Sequence, residues 1–318
     1  MRELYDAMVP VADQSPRLRE PALRQALEIV MVRVSGMRDF ASSTGAPLLD
    51  RANALLQGYG YESGTAGLQL KARFDPRAID RSLRELGLPV WGINRLSHQV
   101  WIAIRNDGQA SAVLDAGGAA ARTSALLAVA NRRGIPLSFP DLDGTDRQLA
   151  KFGSIWDGDF TGIRGAARRY DPDVLVVVRV GREGDAWLSR FTLLLEDGQE
   201  EQWSQRHGLL EQSLAEGMDE LADRQARRFA VQTGTQQEIQ IVVTGIGSLE
   251  DYARAFDYLS RLNPVRAAFV EEVGAGQVRF RLRVEGDPQL LPRVIAAGSL
   301  LRDQEGNPAS GLRYTLSR

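Results

Sequence analysis

Cysteine and histidine, which bind most transition metals in proteins, are absent or rare in this 318-residue sequence. There is no cysteine, which excludes disulfide bonds, thiolate nucleophiles, iron–sulfur clusters and cysteine-ligated zinc. The two histidines, His98 and His207, are too few for a three-histidine zinc site, and neither lies in an HExxH pattern. The sequence therefore predicts no zinc or iron cofactor.

Long apolar runs and an excess of charge are missing as well. No stretch approaches the ~20 apolar residues of a transmembrane helix, and no apolar signal-peptide core follows Met1. Lys and Arg number 39 against 41 Asp and Glu, which gives a net charge of −2. Nucleic-acid-binding and membrane-surface proteins usually carry a basic surplus, so we expect neither kind of partner and no transmembrane segment.

Nucleotide-binding and hydrolase motifs are not found either. Neither GxxxxGK[ST] nor GxSxG occurs in the sequence. Gly245 and Gly247 begin a dinucleotide fingerprint after a predicted strand, but Glu250 stands where its third glycine is required. We therefore expect no cofactor, and the sequence favours a protein that is not an enzyme.

The elements that are present predict an α+β fold of several α/β sandwich domains. Hydrophobic residues make up 43% of the chain, enough for a sizeable core, and the length indicates two or three domains. We place an N-terminal α/β sandwich domain at residues 1–98, a middle α/β domain at 99–234 and a C-terminal domain at 235–318. A polar linker is expected over residues 232–237. The order βαββαβ predicts a ferredoxin-like C-terminal domain.

Local spacing and capping residues predict the elements of the first two domains. Residues 4–11 are expected to form a strand. A helix should have Pro21 at its first position and end at Gly36, and a second helix should cover residues 47–57. The β-branched run over residues 174–178 predicts a strand that is buried on both faces.

The first and last domains share a pattern of alternation and capping. Alternating apolar residues over 68–72 precede Asp75-Pro76, and the same alternation over 280–284 precedes Asp287-Pro288. One constant offset aligns the strands, the Asp-Pro helix caps and the apolar stripes of the following helices without a gap. Strand–Asp-Pro–helix units are common building blocks, which is the alternative explanation. We predict an internal repeat in which the two domains are related.

Two acidic clusters are the best candidates for chemistry. Asp141, Asp143 and Asp146 lie in DLDGTD, and Asp157 and Asp159 lie in WDGD. Hard cations bind carboxylate oxygens from such loops, but the EF-hand spacing is missing, and Asp and Gly are also ordinary turn residues. Plain turns are therefore the preferred interpretation, with Asp141, Asp143, Asp157 and Asp159 as weak metal candidates.

An arginine stripe on the last domain is the candidate partner surface. Arg279, Arg281 and Arg283 alternate with apolar residues of a predicted strand, so they should face away from the helices. Arginine pairs well with carboxylates and phosphates, which suits an anionic partner surface. A solvated strand face is the alternative interpretation.

Three stretches resemble one known protein family: LYDAMVPV at residues 4–11, VRVSG at 32–36 and YDPDVL at 170–175. The family is the proteobacterial envelope family called domain of unknown function 2066, and the resemblance covers most of the chain. Its members typically carry a signal peptide, so the resemblance implies a periplasmic protein whose signal segment is not part of this sequence. The family has no established activity, so the resemblance assigns no functional residues.

These observations favour a non-enzymatic periplasmic binding or scaffold protein that interacts with another component of the cell envelope. Two alternatives stay open. A carboxylate-dependent envelope hydrolase would use the acidic clusters around Asp143 and Asp157. A small-molecule binding protein would hold its ligand at a site between domains.

Overall fold

The chain divides into two compact units. The computed structural model describes residues 2–64, 67–93, 95–105, 112–114, 124–195, 199–231, 236–298, 300–304 and 312–317. Unit 1 consists of Met1–Asn94 and Gln225–Arg318, and unit 2 consists of Arg95–Arg224. Both units contain helices and sheets, so the predicted α+β class is confirmed. The first and last segments therefore lie in one compact unit. That residues 1–98, 99–234 and 235–318 are three separate domains remains a prediction.

The first segment of unit 1 is a three-stranded antiparallel sheet covered by helices. The strands have the order β1-β3-β2 and comprise β1 (Asp6–Pro10), β2 (Leu56–Gly64) and β3 (Gly67–Phe74). The α-helices are α1 (Pro16–Ser35), α2 (Ala52–Leu55) and α3 (Pro76–Glu85), and 3-10 turns cover Arg2–Tyr5, Phe40–Ser42 and Ala46–Arg51. A large apolar core forms where α1 contributes Leu27, Val30 and Met31 and β3 contributes Leu70 and Phe74.

The predicted start of α1 at Pro21 is wrong. Pro16 takes the first helical position after the N-cap residue Ser15, and Pro21 lies inside the helix. Proline suits the first position because its missing N–H would have no intrahelical partner there. Gly36 ends the helix as predicted, in the left-handed conformation at φ 72°.

The predicted second helix, over residues 47–57, is largely replaced by other structure. Ala46–Arg51 forms a 3-10 turn, α2 is a single turn, and Leu56 already opens β2 opposite Phe74 of β3. The strand predicted at residues 4–11 is shorter, because only Asp6–Pro10 pairs with β3. In both cases the partner strand sets the boundary, and local spacing carries no information about that partner.

The last segment of unit 1 forms a five-stranded sheet of order β11-β12-β10-β14-β13. Its elements are β10 (Gln236–Thr244), α9 (Leu249–Arg261), β11 (Val265–Gly274), β12 (Gln277–Glu285), α10 (Leu290–Ala296), β13 (Leu301–Asp303) and β14 (Leu312–Leu316). Of the predicted linker, Gln236 and Gln237 belong to β10 and residues 232–235 lie outside the described part of the chain.

The ferredoxin-like prediction holds for the elements from β10 to α10 and is wrong at the end of the sheet. A ferredoxin-like domain has one last strand, antiparallel to the first. Here β14 runs parallel to β10, and β13 pairs with it in the antiparallel direction. The chain first forms the additional strand β13 and then reverses direction to form β14. As a result, β14 runs opposite to the last strand of a ferredoxin-like domain.

The sheets of the first and last segments share one strand order. It is β1-β3-β2 in the first and β10-β12-β11 in the last, with antiparallel neighbours in both. Asp75 caps α3 by accepting from two backbone N–H groups. Asp287 accepts from Gln289 N in the same way, although α10 begins only at Leu290. A shared order is what an internal repeat requires, and the relation between the segments stays a prediction.

Unit 2 has a mixed sheet of order β5-β4-β7-β8-β9, with β6 also beside β4. The strands are β4 (His98–Arg105), β5 (Ala112–Leu114), β6 (Leu137–Ser138), β7 (Val174–Glu183), β8 (Ala186–Leu194) and β9 (Glu200–His207). The helices are α4 (Ser124–Arg133), α5 (Gly144–Leu149), α6 (Phe152–Asp157), α7 (Thr161–Ala167) and α8 (Leu210–Phe229), which continues into unit 1. No described helix is long and apolar enough to span a membrane.

The central strand of unit 2 is buried on both faces, as predicted for residues 174–178. In β7, Val176, Val177 and Val178 are at most 1% exposed. β7 runs parallel to β4 and antiparallel to β8. On β8, the ring of Phe191 lies so close to Gly217 of α8 that an added Cβ would stand 1.9 Å from Cε2. Glycine at this helical position therefore permits the close approach of α8 to the sheet.

Candidate partner-binding face

The open face of the last sheet carries the predicted arginine stripe. The side chains of Arg279, Arg281 and Arg283 on β12 are 45%, 42% and 46% exposed. Between them, Phe280 and Leu282 are fully buried on the opposite face. The structure thus brings the three arginines together on one exposed face, on the side away from the core.

The arginines of this face are ordered by glutamates of neighbouring strands. The ion pairs are Arg279 Nη1–Glu272 Oε2 at 2.6 Å, Arg281 Nε–Glu271 Oε1 at 3.3 Å, Arg281 Nη1–Glu238 Oε2 at 3.5 Å and Arg283 Nη2–Glu238 Oε1 at 3.8 Å. Exposed pairs of this kind add little stability, about 0–1 kcal/mol each. The three glutamates equal the three arginines in number, so part of the positive charge of the face is already paired.

Phe269 lies beside the arginines on the same face. It sits on β11 directly opposite Arg281 and is 40% exposed. The guanidinium carbons of Arg281 and Arg283 lie 5.5 and 5.8 Å from its ring centroid, within the range of cation–π contact. An exposed aromatic ring flanked by arginines has the composition of a protein-interface hot spot.

Sequence reasoning did not single out Phe269. The hairpin turn at residues 274–276 is not enough to find it, because the register shift between Val270 and Glu272 is what places Phe269 opposite Arg281 and not opposite Leu282. We define the partner face as Phe269 together with Arg279, Arg281 and Arg283.

The edge of the same sheet is less suited to a partner than its face. β11 is an edge strand, and its residues 269–274 are exposed. However, its pairing with β12 shifts register between Val265 and Ala267 and again between Val270 and Glu272. Such irregularities twist an edge and discourage the addition of another strand. The face is therefore the better candidate.

The first acidic cluster serves local structure in unit 2. Asp143 caps α5 by accepting from the N–H groups of Thr145 and Asp146, and it pairs with Arg169 at 2.5 Å. The hydrogen bond from Arg169 is the main cause that lowers the pKa of Asp143. Asp146 is completely buried and accepts from Tyr170 Oη at 2.6 Å. These carboxylates therefore hold α5 to the turn at residues 168–170.

The remaining acidic candidates have comparable positions. Tyr170 Oη accepts from the backbone N–H of Asp141 at 3.0 Å. Asp157 ends α6, and Asp159 Oδ1 accepts from Thr161 N at 3.0 Å, a bond that lowers the pKa of Asp159. Across the described residues, no group of three or more histidine, aspartate or glutamate side chains could hold a metal ion. Of the three, Asp159 has a carboxylate that a local backbone hydrogen bond fixes in a turn.

We expect calcium and magnesium to give no saturable heat with the protein at micromolar concentration in titration calorimetry. The reason is that Asp143 and Asp146 already bind Arg169, Tyr170 and backbone N–H groups. Asp143→Ala should instead lower the melting temperature, because the cap of α5 is lost. Asp157→Ala is the matched control and should change it less. A tight calcium site that either substitution removes would contradict this expectation.

The two histidines lie on strands of unit 2. His98 opens β4 and is buried, and burial lowers the pKa of its imidazole to about 4. It is therefore neutral at physiological pH. His207 ends β9 and is partly buried, the position that its place at a strand end predicts. Both positions fit structural roles.

The comparisons with known proteins concern parts of the chain. A family model for a domain of unknown function (DUF8605) matches residues 1–92, so the first segment of unit 1 is similar to a domain without an assigned activity. No curated protein matches the chain. Among solved structures, the LpoB C-terminal domain from Salmonella enterica is similar over 36% of this chain and 84% of that domain, at 17% identity and a TM-score of 0.24.

Proposed function

We propose that the protein is a non-enzymatic binding protein of the cell envelope that holds a protein partner on the partner face of its last sheet. The observation that carries the proposal is Phe269, exposed on a sheet face and flanked by the guanidinium groups of Arg281 and Arg283. The location rests on the resemblance of residues 4–11, 32–36 and 170–175 to domain of unknown function 2066, whose members are exported.

The partner should offer carboxylates around an apolar centre. Arginine donates to carboxylates through two parallel N–H groups, and the ring of Phe269 supplies apolar area that is costly to leave in water. The glutamates on β10 and β11 leave part of each guanidinium accessible, since every one of the three side chains is more than two-fifths exposed. An acidic protein surface with one buried aliphatic or aromatic anchor fits this arrangement.

The acidic clusters give the hydrolase alternative less support. A glycoside hydrolase needs one carboxyl group that stays protonated near neutral pH beside a second that is ionised. Of the two carboxyl groups that this alternative would use, Asp143 and Asp157, Asp143 has a pKa lowered chiefly by the hydrogen bond from Arg169, so it is ionised and fixed. This is the opposite of what a general acid requires.

The test is retention of a partner by a variant of the partner face. We expect Arg279→Ala/Arg281→Ala/Arg283→Ala to melt like the parent, because exposed substitutions usually change stability by less than about 0.5 kcal/mol. The same variant should lose a protein that the parent retains from a periplasmic extract. With that partner purified, Phe269→Ala should weaken binding about thirtyfold, since an interface anchor contributes about 2 kcal/mol.

The matched control removes three other exposed arginines of unit 1. Arg17, Arg51 and Arg81 are exposed and form no ion pair within the described part of the chain. Their triple alanine variant loses the same charge and should bind like the parent. Equal loss in both variants would indicate a general charge effect. If the triple alanine variant of the partner face retained the partner fully, the arginine stripe would be a solvated strand face. Both outcomes would reject the proposal.

A further inference from the structure

Unit 1 contains a cavity that the partner face does not include. Its volume is about 780 Å³, within the range of roughly 300–1,000 Å³ that small-molecule sites occupy. It lies between the first and last segments of the unit, where β1, β3 and α3 meet the end of α9 and the start of β11. Residues distant in sequence therefore form its wall.

The lining of the cavity is rich in arginine. Arginine side chains from both segments contribute: Arg73, Arg77, Arg84, Arg261 and Arg266. The carboxylates of the lining are those of Asp6 and Asp80. Because positive groups outnumber negative ones, the cavity is electrostatically suited to an anion.

Four of the five lining arginines have a carboxylate partner, Arg261 with Asp257 among them, and Arg77 has none among the described residues. Asp6 forms a two-bond ion pair with Arg73, with Nε–Oδ1 at 3.1 Å and Nη2–Oδ2 at 2.9 Å. Asp80 accepts from Tyr5 Oη at 2.8 Å and lies 3.6 Å from Arg84 Nη2. Burial raises the pKa of Asp80, and the hydrogen bond from Tyr5 and the charge of Arg84 act against that shift.

A third carboxylate is shared by two of the arginines. Glu285, at the end of β12 and 8% exposed, hydrogen-bonds to Arg266 Nε. The same oxygen lies 3.7 Å from Arg84 Nε, too far for a hydrogen bond. Arg84 Nε and Arg266 Nη2 are both buried without a hydrogen-bond acceptor among the described residues. Because these two atoms are shielded from solvent, the arginine that is most open to a ligand in the cavity is the exposed Arg77.

The rest of the wall is a mixture of apolar side chains and the uncharged polar side chains of Gln57, Ser260 and Asn263. Phe74, Ile93, Leu262 and Val265 line the cavity beside the arginines. A wall of this kind favours a ligand with a hydrocarbon part, and the arginines favour an oxyanion that can accept two parallel N–H groups. We propose that this cavity binds a small organic anion, in which a carboxylate or phosphate group is attached to an apolar body.

The test uses the fluorescent anion anilinonaphthalene sulfonate and three eight-carbon competitors. Octanoate and octyl phosphate carry the two candidate anionic groups, and octanol is their uncharged counterpart. Octanoate or octyl phosphate should displace the probe from the full chain at concentrations where octanol does not. Whichever anion competes at the lower concentration identifies the preferred group.

Two arginines of α3 provide a matched pair of variants. Arg77 lines the cavity and Arg81 does not, although both are exposed on the same helix. Arg77→Gln should weaken the competing anion about fivefold, and Arg81→Gln should leave its affinity unchanged. Arg84→Gln should weaken the anion about tenfold or more, as expected for loss of hydrogen bonds to a charged group.

Three results would overturn the proposal. Octanol could compete as well as the anions, which would mean an apolar cleft without charge recognition. Arg77→Gln could behave like Arg81→Gln. The probe could show no saturable binding to the parent. The partner-face variant should bind the anion normally, so failure here and failure of the proposed function are distinguishable.

Discussion

Val176→Asp is expected to unfold unit 2 or to leave it insoluble. Val176 is 1% exposed at the centre of β7, opposite Val100 of β4 and Leu193 of β8. The substitution loses roughly 1.5–3 kcal/mol of apolar burial and adds a desolvation cost of several kcal/mol for the unpaired carboxylate. The sum approaches the whole stability of a typical domain, about 5–15 kcal/mol.

Thermal unfolding followed by circular dichroism measures this effect. Val273→Asp is the matched control, because it places the same carboxylate on a strand at a residue that is 71% exposed. It should melt within a few degrees of the parent. Val176→Ala should fall between the two, since it removes volume without adding a charge. A soluble Val176→Asp variant with the parent's melting temperature would mean that β7 is exposed.

Arg133→Met is expected to destabilise unit 2 by about 3–5 kcal/mol. The side chain of Arg133 in α4 is completely buried and donates to Asp219 at 2.9 Å and to Asp223 at 2.5 Å on α8. Asp219 is itself only 7% exposed. Methionine fills a similar volume but leaves these carboxylates without their buried partner, which is the costly way to break an ion pair.

The neighbouring Arg132 gives the control for this variant. Arg132 Nη2 lies 2.7 Å from the other oxygen of Asp219, but the side chain is 50% exposed. Arg132→Met should therefore cost less than about 1 kcal/mol. Urea denaturation of both variants measures the difference in the free energy of unfolding. Equal effects of the two substitutions would contradict the assigned role of burial.

Local patterns were sufficient for much of the fold. The alternation over residues 277–285 and the β-branched run at 174–178 correctly predict β12 and β7, because each strand's pattern is set by which of its own faces is buried. Gly36 ends α1 and Asp75 caps α3 for equally local reasons. The orientation of the arginine stripe followed from the same alternation.

The features that were missed depend on distant residues. Unit 1 joins the ends of the chain through contacts such as Asn263 Nδ2 to the carbonyl of Val90 at 2.8 Å. The arginines of the cavity come from both segments, for example Arg77 and Arg266, which are far apart in sequence. The hydrophobic periodicity and the residue spacing within one segment carry no information about contacts with a distant segment. The strand β14 was expected, but its direction parallel to β10 was not, because β13, with three residues, is too short to leave a pattern.

The acidic clusters show why residue type alone is a weak guide to chemistry. Asp143 and Asp159 occupy turn and capping positions, which the sequence also allowed. Asp146 received no separate role, yet it is the buried member of its cluster and holds Tyr170. Burial, which distinguishes it from its neighbours, is a property of the folded chain.

The division of unit 1 into two parts of the chain sets an order for folding during synthesis. Its first segment has its own buried apolar cluster and can become compact as soon as it leaves the ribosome. Unit 2 is translated next. Val90, before unit 2, and Val231, after it, then exchange two backbone hydrogen bonds of 2.9 Å. Arg266 and Glu285 are translated after all of this. The arginine-lined cavity can therefore form only after Arg266 has been translated, and a ligand bound there would report that the first and last segments of unit 1 have met.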